Sequence, residues 1–211
     1  MTIGKGTPWG RPVDPPADLV VVDTDAELAA RLDARRRDPA APPVAARAGD
    51  LAHTVGVARI AGRPTLNELP IDLFELRIGD LDGELRTVVG CAHAVMRSPA
   101  SRGGWWRGPV VVVMNAEFIG DWDVAPRGHP NDGRVEVFEL DASLAVRQRL
   151  AARRRVRTAT HVPHPLITTR TVRRASWSFE APMAVVVDGV GVGTARRVEL
   201  EVIADAATVL A

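Results

Sequence analysis

Five histidines, one cysteine and a crowded run of arginines are the side chains here that could act as ligands, bases or anion receptors. His161 and His164, in "HVPHP", stand three apart. In a strand or loop that spacing is poor for one shared metal, and no cysteine or carboxylate cluster lies near them in the sequence, so ordinary polar or core histidines are expected. His129, in "RGHPND", sits beside Asp132 at a turn. Its ordinary pKa would suit acid–base work, but a turn residue accounts for it more simply. Cys91 lies in the apolar "TVVGCAHAVM" and reads as a buried, inert thiol. A single cysteine excludes an internal disulfide framework and a cysteine-based zinc cluster.

The arginines are unevenly placed. Ala142 to Phe179 contains no Asp or Glu but nine arginines, among them Arg153, Arg154 and Arg155. Such a patch can engage phosphates or an anionic membrane surface, although charge runs are most often solvated faces. "GGWWRGP" places Trp105 and Trp106 beside Arg107. On a strand, neighbours point to opposite faces, so only one indole can enter a given core. Trp106 with the arginines of the following helix would then form a face for a lipid, a phosphorylated small molecule or an anionic membrane. Nucleic acid is not expected as a partner. The net charge is only +1, and the arginines lack interleaved aromatics.

These groups must be positioned by an ordered scaffold. The chain has 211 residues, 46% of them hydrophobic, enough for one globular unit with a sizeable core. No apolar run resembles a signal peptide or a membrane span, so a cytoplasmic protein is expected, peripheral at the membrane if the arginine face docks there. Residues 1–16, rich in Gly and Pro, predict an irregular arm. "ADLVVV" predicts a strand, and "DTDAELAARLDARRR" a helix capped by Thr24 or Asp25. A second short helix is expected over 49–56. After about residue 66 the pattern becomes strands separated by Gly, Pro and Asp-Gly turns, interrupted by one helix over 142–155. The expected fold class is α+β: a short α/β unit over 17–65 packed on a β-sandwich-like domain over 66–211 with one long helix.

The punctuation of "MNAEFIGDWDVAPRGHPNDGRVEVFEL" is particular. Asn115 breaks a run of four valines with an amide that needs partners if buried. Ala125-Pro126 marks a strand end, and Asp132-Gly133 a turn before an alternating strand. Taken together, Asn115, Gly120, Ala125-Pro126 and Asp132-Gly133 with the following "RVEV" resemble the C-terminal lobe of the diacylglycerol kinase and sphingosine kinase family, which shares a superfamily with NAD kinases. The late "VVVDGVGVG" stands where that family carries Asp-Gly-Glu, with Val190 in place of the glutamate. More faintly, "VVVDTDAEL" stands where the family's glycine-rich nucleotide loop would be, keeping Asp25. "ARAGDLAHTVG" keeps Asp50, Ala52 and Gly56, with His53 where the family has arginine. The resemblance is strong over 108–211 and weaker over 17–107, and the first part of the family's nucleotide lobe has no counterpart.

The resemblance implies transfer of the ATP γ-phosphate to a lipid hydroxyl. Asp25, Asp50 and Asn115 would face the nucleotide, Asp25 and Asp132 the Mg²⁺, and Asp188, with Asp25, would be catalytic, Asp188 orienting or deprotonating the acceptor. The departures argue the other way. Asp23, Thr24 and Ala26 replace glycines whose bare backbone lets N–H groups approach phosphate. Asp23 would place a negative charge beside the triphosphate. The leading expectation is therefore a relative with weak or lost catalysis that binds a lipid or phosphorylated ligand, with an active divergent lipid kinase as the alternative and a fold relative with an unrelated role third. Homodimerisation is expected on the ground that a shortened lobe leaves faces to cover.

Overall fold

The structure, a computed structural model, describes residues 8–56 and 63–211. The start of the expected arm and the middle of the linker near 60–65 fall outside the described residues.

The molecule is a mixed but mostly antiparallel sheet with few helices. β1 (Arg11–Val13) lies within the stretch expected to be irregular and pairs with Leu66–Glu68. Trp9 anchors that segment by donating its indole N–H to the Pro70 carbonyl at 3.2 Å. β2 (Val20–Val22) and β3 (Val44–Ala46) run parallel, joined by α1 (Asp25–Arg37). Thr24 caps α1, its hydroxyl accepting the Glu27 N–H at 3.2 Å, and Arg35, Arg36 and Arg37 face the negative end of the helix dipole. Leu28, Ala29 and Leu32 form the buried stripe of α1. α2 (Asp50–Thr54) is a single short turn of helix.

The main sheet, among the described residues, is built on long strands. β4 (Leu66–Gly79) pairs with β13 (Val190–Leu210) along most of its length, and β13 turns back on β12 (Arg174–Val187). From β12 the sheet continues through β6 (His93–Arg97), β7 (Val110–Met114) and β10 (Val135–Leu140) to the edge strand β11 (Ile167–Val172). β5 (Arg86–Gly90) flanks β4, and a small separate hairpin joins β8 (Phe118–Ile119) to β9 (Trp122–Asp123). The last residues of β13 reach β3, with Leu210 opposite Ala45, so the parallel unit and the antiparallel strands share one sheet.

Three local expectations change. The β-branched stretch "APMAVVVDGVGVG" reads as one strand set off by its proline, but its first half ends β12 and its second half begins β13. β12 continues past Pro182 at an interruption between Ser178 and Met183 in the pairing with β13, where a missing N–H is tolerated. Trp105 and Trp106 lie on a 3₁₀ turn over Gly104–Trp106, not on a strand, because Gly103 and Gly104 both take positive φ. The helix expected over 142–155 begins at α3 (Val146–Arg155). Asp141 accepts the Ser143 N–H at 2.8 Å and holds the preceding residues in a turn.

A buried carboxylate that sequence inspection passed over stitches this frame. Asp72, fully buried in β4, accepts the Gly133 N–H at 2.6 Å, the Asp205 N–H at 2.7 Å and the Asn131 amide at 3.4 Å. Its own N–H donates to Pro130, and its carbonyl accepts from Asn115. Asp205 sits at φ +51° where the β4–β13 register jumps between Ile203 and Ala207, so Asp72 holds a bulge and a turn at once. Asp72→Ala strands these donors. It should lower stability by about 3 kcal/mol or more in urea unfolding; a loss under about 1 kcal/mol would show that the knot is not structural.

Candidate functional site

The β12–β13 hairpin turns on Asp188-Gly189, both at positive φ, the requirement of a two-residue hairpin loop. The Asp188 side chain points inward and is 6% exposed. Its carboxylate accepts three consecutive backbone N–H groups between β5 and β6: Cys91 at 2.8 Å, Ala92 at 2.9 Å and His93 at 2.9 Å. The Asp188 N–H closes the ring by donating to the His93 carbonyl. Asn115 grips the same turn from the other side. Its amide donates to Cys91 and Asp72 carbonyls at 2.8 and 2.9 Å. The crossing is tight enough that a Cβ on Gly90 would stand 2.4 Å from the Phe74 ring.

Asp25 performs the same service for α2. Its carboxylate accepts the Asp50 N–H at 2.6 Å and the Leu51 N–H at 3.1 Å, capping a helix whose own cap residue, Gly49, has no side chain. Gly49 lies at φ +111°, and a Cβ there would come within 2.5 Å of the Asp25 carboxylate. Asp50 in turn accepts the Gly120 N–H at 2.7 Å and stands 3.1 Å from His93 Nδ1. His53, at the position of the family's arginine, stacks on Phe118 with 3.9 Å between centroids. Asp25, Asp50, Asp188 and Asn115 therefore converge around the Cys91–His93 turn.

Electrostatics follow from that crowding. Burial pushes the Asp25 carboxyl up to about 6. The Asp50 and Leu51 N–H groups pull it down, while the Asp188 and Asp50 charges push it further up. Burial also raises Asp188 above the ordinary carboxylate range, against the pull of its three N–H donors. For His93 burial alone would lower the pKa, but Asp50, Asp188 and Asp25 reverse that and raise it. Burial drives the Cys91 thiol well up, as expected of an inert cysteine. His93 was missed in the sequence; the one available signal was a histidine inside an otherwise apolar strand.

Several groups that could meet a triphosphate are engaged within the chain itself. Phosphate binds at helix N-termini through unpaired N–H groups. Here Thr24 takes one N–H at the α1 terminus, that of Glu27, and Asp25 takes two at the α2 terminus, those of Asp50 and Leu51. Asp23, where a loop glycine would be, pairs with Arg47 at 2.7 Å, and that hydrogen bond lowers its pKa. Among the described residues no three His, Cys, Asp or Glu side chains come together to hold a metal. Asp132, expected with Asp25 at the metal, accepts the Arg134 N–H at 2.9 Å, and burial raises its carboxyl above the ordinary range against the pull of that N–H and of His129 and Arg134. Asn115, expected to face the nucleotide, gives its side-chain N–H groups to the strand crossing.

A second site lies against α3. A cavity of about 330 Å³ is lined by Trp105, Trp122, Phe138, Leu140, Val156 and Ile167, with Trp106 and Arg153 also on its wall. Arg153 stacks over the Trp106 ring at 6.0 Å and the Trp122 ring at 5.5 Å. Among the described residues no carboxylate pairs with it. Arg149, by contrast, is buried and donates to the carbonyls of Leu144, Trp105, Gly108 and Asp141, pinning α3 to the sheet. Arg154 and Arg155 are exposed on α3 and do not line the cavity. So the structure brings Trp106 and Arg153 together and leaves the other two arginines aside.

No protein-family model and no curated protein matches this chain. Solved structures do. A "putative diacylglycerol kinase" from Bacillus anthracis strain Sterne is 13% identical, with a TM-score of 0.62 over 91% of this chain and 77% of its own. A second structure, of a diacylglycerol kinase from the same strain, is 14% identical, with a TM-score of 0.60 over 91% of this chain and 75% of its own. The chain has the diacylglycerol kinase fold. No helix of the described residues is long and apolar enough to cross a membrane.

Within that fold the acid cluster makes stability pH-dependent. Folded Asp25 keeps its proton between about 4 and 6, where the unfolded carboxyl has lost it. Its contribution is therefore full below about pH 4 and is lost as pH rises through about 6, a change on the order of 3 kcal/mol. His93, also raised, acts in the same direction at higher pH. Urea midpoints measured across this range should show Asp25→Asn with a flatter profile than wild type between pH about 4 and 6; parallel profiles would exclude Asp25 as the titrating group. Gly49→Ala should cost at least about 2 kcal/mol, because it meets both the positive φ and the Asp25 carboxylate.

Proposed function

We propose that this protein is a lipid-binding member of the diacylglycerol kinase fold that has given up phosphoryl transfer. The observation carrying this reading is that the chain's own Thr24 and Asp25 take N–H groups at the N-termini of α1 and α2, one at the first and two at the second. Phosphoryl transfer depends on positioned donors and metal ions at the phosphates. Side chains already bound to backbone N–H groups supply neither. The cavity beside α3 supports the other half of the reading. Its size is that of a small-molecule pocket, its walls are aromatic and aliphatic, and Arg153 offers one cation at its rim. That combination suits a single-chain amphiphile with an anionic head, the chain among the indoles and the head at Arg153.

The convergence of Asp25, Asp50 and Asp188 favours the alternative, a divergent ATP- and Mg²⁺-dependent lipid kinase, and one experiment separates the two. The protein is incubated with γ-labelled ATP, Mg²⁺ and a mixed lipid extract beside an active control kinase. No label should enter the organic phase. Labelled lipid that disappears in Asp188→Asn would overturn the loss of catalysis. Binding is read separately, by titrating laurate into the protein and following tryptophan emission. Saturable quenching is expected, and Arg153→Glu should weaken it roughly tenfold. Absence of any saturable change would overturn the lipid reading.

A further inference from the structure

The outer face of α3 leaves apolar side chains in water. Six large apolar side chains are exposed among the described residues, and three of them, Val146 at 52%, Leu150 at 41% and Trp106 at 38%, belong to one patch. Val146 and Leu150 stand four apart on α3 and so share a helix face. Arg153, three residues on from Leu150, carries that face to Trp106, over whose ring its guanidinium lies at 6.0 Å. Neither Val146 nor Leu150 lines the cavity. Nor does α3 need them to hold its place, since Arg149 pins it through four carbonyls.

Cations surround this patch. Arg147 and Arg154 lie three before and four after Leu150, on the same face, and Arg107 follows Trp106. All three are exposed, and among the described residues no carboxylate pairs with them. Ala142 to Phe179 contains no Asp or Glu, and Asp141, just before the helix, turns its carboxylate onto Ser143. A face that meets only water gains nothing from exposed Val, Leu and Trp. One that meets nucleic acid needs the cations alone. Apolar side chains set among unpaired arginines match an anionic bilayer, where the first enter the acyl boundary and the second reach the headgroups. An indole is favoured at that depth, with one end apolar and the other wet. We propose that the face of α3 carrying Val146 and Leu150, with Trp106, docks on an anionic membrane surface and lies in its interface without crossing it. This pose sets the cavity wall formed by Trp106 and Arg153 against the headgroup layer. The docking does not rest on what the cavity binds; it adds the surface from which an amphiphile would be taken up.

The test is co-sedimentation of the full chain with vesicles of phosphatidylcholine alone and of phosphatidylcholine and phosphatidylglycerol in equal parts, with a duplex oligonucleotide in a parallel arm. Wild type should bind the mixed vesicles, its tryptophan emission moving to the blue, and bind the neutral ones at least about tenfold more weakly. Arg147→Ala with Arg154→Ala should weaken binding about twentyfold, at roughly fivefold for each arginine. Val146→Ser with Leu150→Ser leaves the charge unchanged and should weaken it about tenfold. Circular dichroism checks that both double variants fold. Equal binding of the two vesicle types, or binding that survives both double variants, overturns the docking face. So does binding indifferent to Val146 and Leu150, or a duplex bound as tightly as the mixed vesicles, since either reveals a general anion surface. Laurate titration keeps this apart from the cavity reading: the serine pair should quench as wild type does, because neither residue lines the cavity. Laurate binding without vesicle binding sinks the docking and leaves the cavity reading standing; vesicle binding without laurate binding does the reverse.

Discussion

A carboxylate buried at Asp188 can persist in this protein only because three consecutive backbone N–H groups converge on it. Burying an ionised group without compensation is costly enough that it would neutralise or unfold its surroundings. The convergence demands that Cys91, Ala92 and His93 turn inward together. That demands Gly90 at a crossing where Phe74 and Val187 leave no room for a Cβ. It also demands Asn115, which takes up the Cys91 carbonyl. Asp188 thereby ties the β12–β13 hairpin to the β5–β6 connection, and Asp25 and Asp50 tie the parallel unit to the same turn through α2 and His93. The acids that resemble a phosphoryl-transfer site are the bolts of the framework.

One strand divides the polar framework from the apolar cavity. In β7 the side chains of Val111 and Val113 enter the core between the long strands, while Val110, Val112 and Met114 face the layer with Trp122 and Phe138. Strand alternation alone produces this, since neighbours on a strand point to opposite faces. The acids at one end of β7 and the indole-lined cavity on its outer face are therefore consequences of one element. α3 closes the cavity because Arg149 gives its guanidinium to four carbonyls, two of them, Trp105 and Gly108, outside the helix and the turn before it. Arg153, one turn further, is left free to stack on the indoles.

Much of the coarse architecture was legible. Asp132-Gly133 announced its turn, Thr24 and Asp25 marked the start of α1, and β-branched runs announced most strands, because these are local properties of backbone sterics and capping. The likeness of Met114–Leu140 to a kinase lobe pointed to the fold that the solved structures share. Less legible was where one strand ends and another begins. β12 and β13 run through residues that look like breaks, since pairing on a neighbouring strand overrides a local Pro or bulge. The tryptophan pair was misplaced because two glycines with positive φ replace a strand by a turn.

The candidate sites divide along the same line. Sequence by itself determined which residue types were available: the acids, the single buried thiol, the arginine-rich stretch, the missing glycines, and from spacing the turns and caps. Only the tertiary structure decided what those residues do. Asp72 and His93 look like isolated polar residues in apolar strands until partners tens of residues away are brought to them. A carboxylate is a cap, a ligand or a base according to which donors reach it in space. That depends on long-range packing, which no local pattern encodes.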